Sequence, residues 1–468
     1  MSASAQHTRL AAAAQPADPS QLILIDQRWH AEVLPLLPAG WQQQARLLRA
    51  FSRTRNLASP ELLLRGLLAY VLGYGSFCLL GVWALLLDVG ELSDTAWRNR
   101  FVAASLWLDW LLGQLLSAKP EQVPQPTQCQ PQRERLVIID STITVHPSGK
   151  GEDWRIHLGY DLSAGRLHTL LLTDDHTAED TAHYPLGPGD IAIADAGFGS
   201  RRLIVHTVVQ QRADIVVRIH PRTCPLMNAA GEQVDIVAWL RTLQGRYHSR
   251  QLYCQHGNQR VKLRLIAIKL SDEATKKAQR RKRKKAVNDG RKISEETLYL
   301  AGWVLVVTSL PAEQWPTDAV VRLYRARWQV ELLFKQMKQM VGLGKLTVRN
   351  RARAEAVLRA KLVAWALGEK INGGLRELLP TGSASLRRPG SSWQLRRLGM
   401  EQLRQAVGSG WTQRRLEECM ARLQRYICGR PRVRQHQETR IREWLRRRQE
   451  ALLRQLAYAN SLTTPCAA

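Results

Sequence analysis

Two aspartates directly follow short apolar runs, a position from which a carboxylate can bind a ligand. Asp140 comes after the apolar residues 136–139, and Asp195 comes after residues 190–194. Each run predicts a buried strand, so we expect each Asp to end its strand at the edge of a sheet, where open α/β folds bind ligands. Carboxylate oxygens are suitable donors for Mg²⁺. Taken singly, an Asp after a strand is most often a turn residue or a helix cap.

A third acid lies on a strongly charged side of a predicted helix. Residues 317–340 predict one long helix. At ~100° per residue, four of its polar side chains fall within ~60° of arc. That side is formed by Tyr324, Arg327, Glu331 and Lys338, with Lys335 beside them. A different, apolar side is predicted to pack on the sheet, through Leu323, Val330, Leu333, Met337 and Val341. The alternative is a solvated face whose Arg327–Glu331 ion pair stabilises the helix by only about 0.2–0.5 kcal/mol.

The spacing Tyr324-x2-Arg327-x3-Glu331-x6-Lys338 resembles the YREK signature of bacterial insertion-sequence transposases with a DDE triad. The block Asp195-Ala-Gly-Phe-Gly-Ser resembles the second-Asp region of that family. Asp140-Ser-Thr, followed by His-Leu-Gly-Tyr-Asp-Leu at residues 157–162, resembles its first-Asp region. The order of the blocks agrees as well, and the resemblance covers about residues 60–370.

The resemblance implies a DNA-cutting centre in which two Mg²⁺ ions, or Mn²⁺ in their place, are held by Asp140, Asp195 and Glu331. Asp140 is expected to bridge the ions, with one further acid on each ion. Such a site first hydrolyses DNA at the element's ends and then joins the freed 3′-hydroxyl to a target. Phosphates near the cut are expected to contact basic and phenolic side chains: Tyr324, Arg327, Lys335, Lys338 and Arg218.

The resemblance also implies a base-stacking tryptophan in an insertion between the second Asp and the Glu. Trp303 is the candidate by position, and a buried strand Trp is the alternative reading of the same residue. The implied fold class is α/β. A ribonuclease-H-like catalytic core is interrupted by a mainly β insertion and flanked by helical N-terminal and C-terminal regions.

Five regions are predicted along the chain. Residues 1–134 form a helical N-terminal DNA-binding region plus linker, and residues 135–220 the first part of the catalytic core. Residues 221–300 form a β-rich insertion with a basic loop. Residues 301–378 form the second part of the core with the Glu helix, and residues 379–468 a basic helical C-terminal region.

Within these regions the patterns predict individual elements. Strands are expected at 155–162, 167–173, 190–194, 214–219 and 298–308, a helix at 200–212, short strand pieces such as 261–269, and a basic amphipathic helix at 440–456. The basic run at 276–285 is interpreted as a solvated, disordered loop that also contacts phosphates.

The first 117 residues are expected to be disordered up to residue 20 and helical from 21 onwards. Ser59-Pro60 and Ser93-Asp94 are helix-start signals, and the second helix is expected to run towards Leu116. Residues 76–101 resemble a helix-turn-helix, although many helical hairpins bind nothing. Residues 66–87 contain no charged residue, and a stretch of this length could span a membrane. Glycines inside the stretch favour a buried helical pair, and the Pro- and Gln-rich residues 118–134 predict a linker.

The overall charge points to a polyanionic partner. The 468 residues include 68 Lys and Arg against 40 Asp and Glu, a formal net charge of +28, which favours nucleic acid over a merely solubilising surface. The seven cysteines contain no CxxC pair, so neither a disulfide framework nor a zinc ribbon is predicted, and a reducing compartment fits.

We therefore expect a cytoplasmic, nucleoid-associated bacterial protein without a secretory signal or membrane anchor. Its predicted partner is double-stranded DNA, both transposon ends and target, and two ends imply a homodimer on DNA. Three rival hypotheses remain open at this point. They are a related nuclease or recombinase that does not transpose, a non-catalytic DNA-binding descendant, and a membrane protein anchored by residues 66–87.

Overall fold

The computed structural model describes residues 27–54, 56–117, 134–149, 153–344, 346–378, 391–408, 413–427 and 437–462. The chain forms two compact units, Met1–Trp411 and Thr412–Ala468. The predicted disorder of residues 1–20 and nearly all of the predicted linker, 118–134, lie outside the described residues.

The region that precedes the sheet is helical, as predicted. Short turns at Trp29–Val33 and Leu34–Leu36 lead into helices α1 (Trp41–Leu47), α2 (Pro60–Ala69), α3 (Phe77–Leu86), α4 (Asp94–Ala103) and α5 (Ser105–Leu116). The predicted caps are present: the Ser59 hydroxyl accepts from the backbone N–H of Leu62, and the Ser93 hydroxyl from that of Ala96, both at 3.2 Å.

The single helix predicted from Ser93 to Leu116 is wrong, because the chain turns at Ala104. The Ala104 N–H is shared between the carbonyls of Arg100 and Phe101, at 2.9 and 3.2 Å. Such a tightened turn is a common way for a helix to end. Here it separates α4 from α5.

The uncharged stretch at 66–87 forms a bent helical pair in the hydrophobic core, which confirms the expectation of buried helices. After α2 the chain makes a π-helical turn at Tyr70–Tyr74, and Gly75 then adopts a φ of 57° before α3. Within the described ranges, no single helix is both long and apolar enough to cross a bilayer. Pro60–Tyr74 and Phe77–Leu86 reach that threshold only together, with a bend of 120° between them.

One mixed sheet of eight strands dominates the described part of the first unit, so the α/β class is confirmed. The strands are β1 (Arg135–Thr144), β2 (Trp154–Asp161), β3 (Arg166–Asp174), β4 (Asp190–Ala194), β5 (Asp214–Arg218), β6 (Tyr247–His256), β7 (Gln259–Lys269) and β8 (Trp303–Thr308). Their order is β3-β2-β1-β4-β5-β8-β7-β6. The central strands β1, β4 and β5 are parallel, and every other neighbouring pair is antiparallel.

The expectation that Asp140 ends the first strand is wrong, since β1 continues to Thr144. Its parallel pairing with β4 stops at Ile138, opposite Ile193, and its last residues pair only with β2. Asp140 therefore lies where β1 separates from β4, still at the carboxyl edge of the parallel strands.

The segment at 221–300 differs from its prediction in two ways. The short strand pieces are a long hairpin, β6 and β7, which joins the main sheet through β8 because the apolar residues of β7 continue the buried pattern. The basic run is not a disordered loop. It belongs to helix α8 (Asp272–Asn288), which is capped by Ser271 and has no fully buried residue, so only the prediction of solvent exposure holds.

The strand predicted at 298–308 begins only at Trp303, because residues Glu295–Leu300 form a short helix. The remaining described helices are α6 (Arg201–Val205, continued by a π-helical turn at His206–Gln210), α7 (Ile236–Arg241), α9 (Glu295–Leu300), α10 (Thr317–Ala326), α11 (Trp328–Met340), α12 (Arg351–Glu377), α13 (Ser392–Val407), α14 (Gln413–Ile427) and α15 (Gln437–Leu462).

Alternate residues of β1, β4, β5, β7 and β8 enter two hydrophobic clusters, as the two-residue period of a strand requires. On one face Ile138 and Val216 pack with the N-terminal helices and with α11 and α12; on the other, Val137 and Val217 pack with α6 and α7. The predicted apolar side of the Glu helix is confirmed, since Val330, Leu333 and Met337 are buried in the first cluster.

A buried ion pair fixes the helices behind the sheet. Arg396 on α13 contacts Glu369 on α12 at 2.6 Å, and it also donates to Gln336 on α11 and to the Tyr160 hydroxyl on β2, each at 3.0 Å. One guanidinium thus joins four elements, among them the helix that carries Glu331. In the second unit, α15 includes the predicted basic helix at 440–456.

Candidate active site

Two neighbouring strands bring the first two candidate acids to one edge of the sheet. Asp140 lies two residues beyond the last β1 residue that pairs with β4, and Asp195 follows the last residue of β4. The residues after Asp195 pack tightly on β5, where a Cβ on Gly199 would lie only 2.3 Å from the Arg218 carbonyl oxygen. This close approach explains why a glycine stands at position 199.

The third acid comes from a helix that is broken, not continuous as predicted. α10 ends at Ala326 and α11 begins at Trp328, with no glycine or proline between them. The turn at Arg327 is tightened: its N–H bonds to Tyr324 O at 3.2 Å, and its own carbonyl accepts from Val330 at 3.1 Å. At this turn the Arg327 side chain contacts Asp140 and Glu331.

The Arg327 guanidinium lies among the candidate acids. One of its nitrogens is 3.7 Å from Asp140 Oδ2, and the other donates to Glu331 Oε1 at 2.6 Å. Burial opposes its charge, but the hydrogen bond to Glu331 and the charge of Asp195 raise the pKa of Arg327 above its usual value. Three acids from distant segments thus share one cation.

No group of three or more His, Cys, Asp or Glu side chains in the described part of the chain is spaced to hold a metal ion. The donor chemistry nevertheless suits a hard divalent cation, because all three acids offer carboxylate oxygens. The Asp140 carboxylate lies close to other negatively charged side chains, which is unfavourable in the absence of a cation. Burial raises its pKa to about 6, Glu179 and Asp195 add to the rise, and Ser141 N–H and Arg327 oppose it.

Tyr324 and Arg218 lie beside Asp195. The Tyr324 hydroxyl donates to Asp195 Oδ1 at 3.3 Å. Burial, reinforced by the charge of Asp195, raises the pKa of Tyr324 to about 12, and the nearby charge of Arg218 opposes the rise. The phenol therefore keeps its proton and is a hydrogen-bond donor at physiological pH.

Lys338 of the predicted signature and the nearby Lys335 lie at the rim of the site. Lys338 Nζ donates to Thr142 Oγ1 at 3.0 Å, which links α11 to the end of β1. Lys335 is exposed. The structure thus brings together Tyr324 and Arg327 with the acids and leaves the two lysines available to solvent on the same helix.

The predicted Trp303 and a second tryptophan, Trp328, differ in their exposure. Trp303 is only 5% exposed and belongs to the second hydrophobic cluster, so its indole is covered as it stands. Trp328, directly after Arg327, is 55% exposed. Sequence reasoning missed Trp328, although a tryptophan next to the charged side of the Glu helix was a usable signal.

Two further residues near Asp140 were also missed. The buried Tyr184 hydroxyl donates to the backbone oxygen of Asp140 at 3.0 Å. Glu179 accepts from the Ser141 hydroxyl at 2.6 Å. Both precede β4 in an irregular segment without periodicity, so no pattern in the sequence pointed to them.

Comparisons with known proteins agree on one family. The family described as "Transposase DDE domain" matches residues 131–367. The chain is 33% identical to the transposase for insertion sequence element IS421 of Escherichia coli over 341 residues, 71% of this chain and 91% of that relative. It is also 33% identical over 340 residues to InsL of element IS186A from Escherichia coli K12, covering 71% and 90%.

A more distant relative extends the same result. The transposase for insertion sequence element IS231F of Bacillus thuringiensis subsp. israelensis is 26% identical over 322 residues, 62% of this chain and 67% of that relative. DDE transposase domains generally depend on divalent metal ions, and these matches favour transposition over the rival activities. The chain belongs to the DDE transposases of bacterial insertion sequences, enzymes that act on DNA.

Proposed function

We propose that Asp140, Asp195 and Glu331 are the catalytic carboxylates of a transposase that cuts the ends of its element and joins them to target DNA. One observation carries the proposal: Asp140 and Glu331, nearly two hundred residues apart, contact the same Arg327 guanidinium, whose pKa Asp195 also raises. Charge sharing of this kind across distant segments is typical of a functional centre.

The three acids would hold two Mg²⁺ ions, with Mn²⁺ as a substitute, since their oxygen donors suit these ions. Bound there, the ions supply positive charge that activates the attacking oxygen and stabilises the leaving one. In the first reaction water breaks a phosphodiester and frees a 3′-hydroxyl. In the second, that hydroxyl attacks a target phosphodiester and displaces a 3′-oxygen.

The side chains around the acids would hold the DNA strand. The planar guanidinium of Arg327 matches a phosphate. When DNA binds, Arg327 would exchange its contacts with the carboxylates for contacts with a DNA phosphate. Tyr324 donates its retained proton to a phosphate oxygen. Lys335 and Lys338 act as point charges along the strand, and Arg218 offers a second guanidinium to it. The spacing of these residues supports the YREK assignment.

A base-stacking role remains proposed for a tryptophan of the site. Trp303 would have to leave its cluster to stack on a base, whereas the exposed Trp328 needs no rearrangement. Stacking on an aromatic ring stabilises an extruded base by about 1–3 kcal/mol. That interaction would favour a tightly bent strand beside the cut.

Two cationic surfaces would carry duplex DNA to the site. Arg98 on α4, Arg349 and Arg353 line one cleft, and within the described residues neither Arg349 nor Arg353 forms an ion pair. The cleft also supports a DNA-binding role for α3 and α4. The second surface is α8, whose basic residues at 276, 277 and 280–285 are all exposed.

The central strand order β3-β2-β1-β4-β5, with β1, β4 and β5 parallel, supports the ribonuclease-H-like core at 135–220 and 301–378. The β6–β7 hairpin supports a mainly β insertion at 221–300. The N-terminal region 1–134 and C-terminal region 379–468 complete the proposed division. The enzyme would act in the cytoplasm on nucleoid DNA, as a homodimer that holds two transposon ends.

The test is cleavage of linear DNA that carries the element's own ends, with Mg²⁺ or with EDTA. Glu331→Gln should abolish metal-dependent cutting at the element boundary and strand transfer. Glu355→Gln is the matched control. Glu355 also forms an i,i+4 pair, at 2.7 Å, with Arg359, and both residues lie on α12, outside the Glu331 helix. Cutting that survives Glu331→Gln would place the active centre elsewhere, and binding without any cutting by the unaltered enzyme would refute the catalytic role.

A further inference from the structure

Glu179 is a fourth acid at the candidate site, contributed by the segment between β3 and β4. Its Oε1 accepts from the Ser141 hydroxyl at 2.6 Å and lies 3.4 Å from an Arg155 guanidinium nitrogen. Ser141 in turn donates its backbone N–H to Asp140 Oδ1 at 2.8 Å. Glu179 is therefore connected to the first catalytic aspartate through one residue.

The other oxygen of Glu179 faces the segment after the second aspartate. A Cβ built on Gly197 would lie 2.0 Å from Glu179 Oε2. Gly197 has no positive φ, so the backbone conformation does not require glycine there. The Glu179 carboxylate leaves no room for a Cβ while it keeps this position, and it lies against the residue two positions after Asp195.

We propose that Glu179 is a positioning residue that holds the Asp140 and Asp195 segments at a fixed separation. This inference rests on the proposed catalytic role of the two aspartates. The contacts support it because one carboxylate joins Ser141 on one side and meets Gly197 on the other. Arg155 offsets the charge that this arrangement adds to an already anionic site.

The consequence is specific to metal binding. Residues that orient metal-ligating side chains typically change metal affinity or activity by 10–100-fold when they are replaced. Glu179→Ala should therefore raise the Mg²⁺ concentration for half-maximal cleavage by at least about 10-fold. It should weaken Mn²⁺ binding to the DNA-free enzyme by a similar factor and leave the affinity for end DNA in EDTA unchanged.

Gly197→Ala offers an independent perturbation of the same contact. The new methyl group meets the far end of a flexible side chain, so it displaces the Glu179 carboxylate without disturbing the backbone. It should produce the same metal defect with no change in charge. In the Glu179→Ala background the space is free, so Gly197→Ala should add nothing. The double variant should match Glu179→Ala.

The experiment is a Mn²⁺ titration followed by electron paramagnetic resonance, together with single-turnover cleavage at a series of Mg²⁺ concentrations. Asp180→Ala is the matched control. Asp180 is next to Glu179 in the sequence, but its carboxylate pairs with Arg202 at 2.8 Å, away from both aspartates. It should leave both metal readouts unchanged. If Glu179→Ala unfolds, Gly197→Ala still carries the test, and Glu179→Gln, which retains the size and an acceptor for Ser141, should keep a metal affinity close to that of the unaltered enzyme.

Unchanged Mn²⁺ affinity in Glu179→Ala would overturn the inference, as would fully additive defects in the double variant. A defect of equal size in Asp180→Ala would also overturn it, since any acid in the segment would then suffice. An unaltered enzyme that binds Mn²⁺ at this site but never cuts DNA would instead refute the proposed function. The Mn²⁺ titration therefore keeps the two failures distinct.

Discussion

Replacing the Asp140 carboxylate by an amide is expected to stabilise the metal-free protein at neutral pH, although the same change removes a proposed catalytic group. Burial raises the pKa of Asp140 to about 6 from the ordinary 3.8. The folded protein thus disfavours the charged form relative to the unfolded chain. Asparagine resembles the neutral form in shape, and its amide oxygen can still accept from Ser141 N–H.

The magnitude follows from the linkage between pKa and stability. A rise of about 2 pKa units corresponds to roughly 3 kcal/mol at 1.36 kcal/mol per unit. Because the folded pKa is raised, the penalty grows as the pH rises from 3.8 towards 6 and is complete above 6. Asp140→Asn should therefore raise the free energy of unfolding by about 2–3 kcal/mol at pH 8 and by less than about 1 kcal/mol at pH 4.

The assay is thermal unfolding in EDTA, as the difference in midpoint between Asp140→Asn and the unaltered protein across pH 4–8. A difference between proteins is preferred because a chain of two compact units need not unfold in one step. Asp318→Asn is the control: its exposed carboxylate pairs with Arg322 at 2.5 Å, and exposed pairs contribute little. An Asp140→Asn midpoint at or below that of the unaltered protein at pH 8 would refute the reasoning.

Three further predictions concern single features. Trp303→Ala should destabilise the protein by about 3–5 kcal/mol in unfolding assays, because the side chain is only 5% exposed. Trp328→Ala should change the stability by less than about 1 kcal/mol and reduce cleavage. Equal losses of stability in the two variants would contradict this prediction. Replacing half of the basic residues in 276–285 by Gln should lower the slope of log affinity against log salt by about 0.9 for each DNA phosphate that the helix no longer neutralises, and an unchanged slope would exclude α8 from the DNA interface. Gly199→Ala should lower the free energy of unfolding by about 1–3 kcal/mol, because the new methyl group would clash with the backbone oxygen of Arg218. An unchanged thermal midpoint would contradict the close approach.

The local features predicted best were those set by residue type and period. The caps at Ser59 and Ser93 and the apolar side of α11 follow from local hydrogen bonding and the helical repeat, so the sequence was sufficient for them. The three candidate acids lie near one cation because the carboxyl edge of the parallel strands meets the helix that carries Glu331. Those relations follow from topology that the resemblance supplied.

The features that escaped prediction depend on tertiary contacts. The break at Arg327 has no glycine or proline to mark it, and the side chain at the break contacts Asp140, which is distant in the sequence. The extension of β1 to Thr144 depends on its partner β2. Glu179 stands in an irregular segment and gains its position only when Ser141 and Gly197 meet it. No period or local motif could have indicated these three features.

The central claim is that Asp140, Asp195 and Glu331 form one divalent-metal centre. The most direct test replaces Mg²⁺ by Fe²⁺ with ascorbate and peroxide, so that radicals released at the bound metal cut the nearby polypeptide backbone. We expect fragments that end near positions 140, 195 and 331, suppressed by excess Mg²⁺ and weakened in Glu331→Gln. Backbone cuts elsewhere, or cuts at these positions that Mg²⁺ does not suppress, would contradict it.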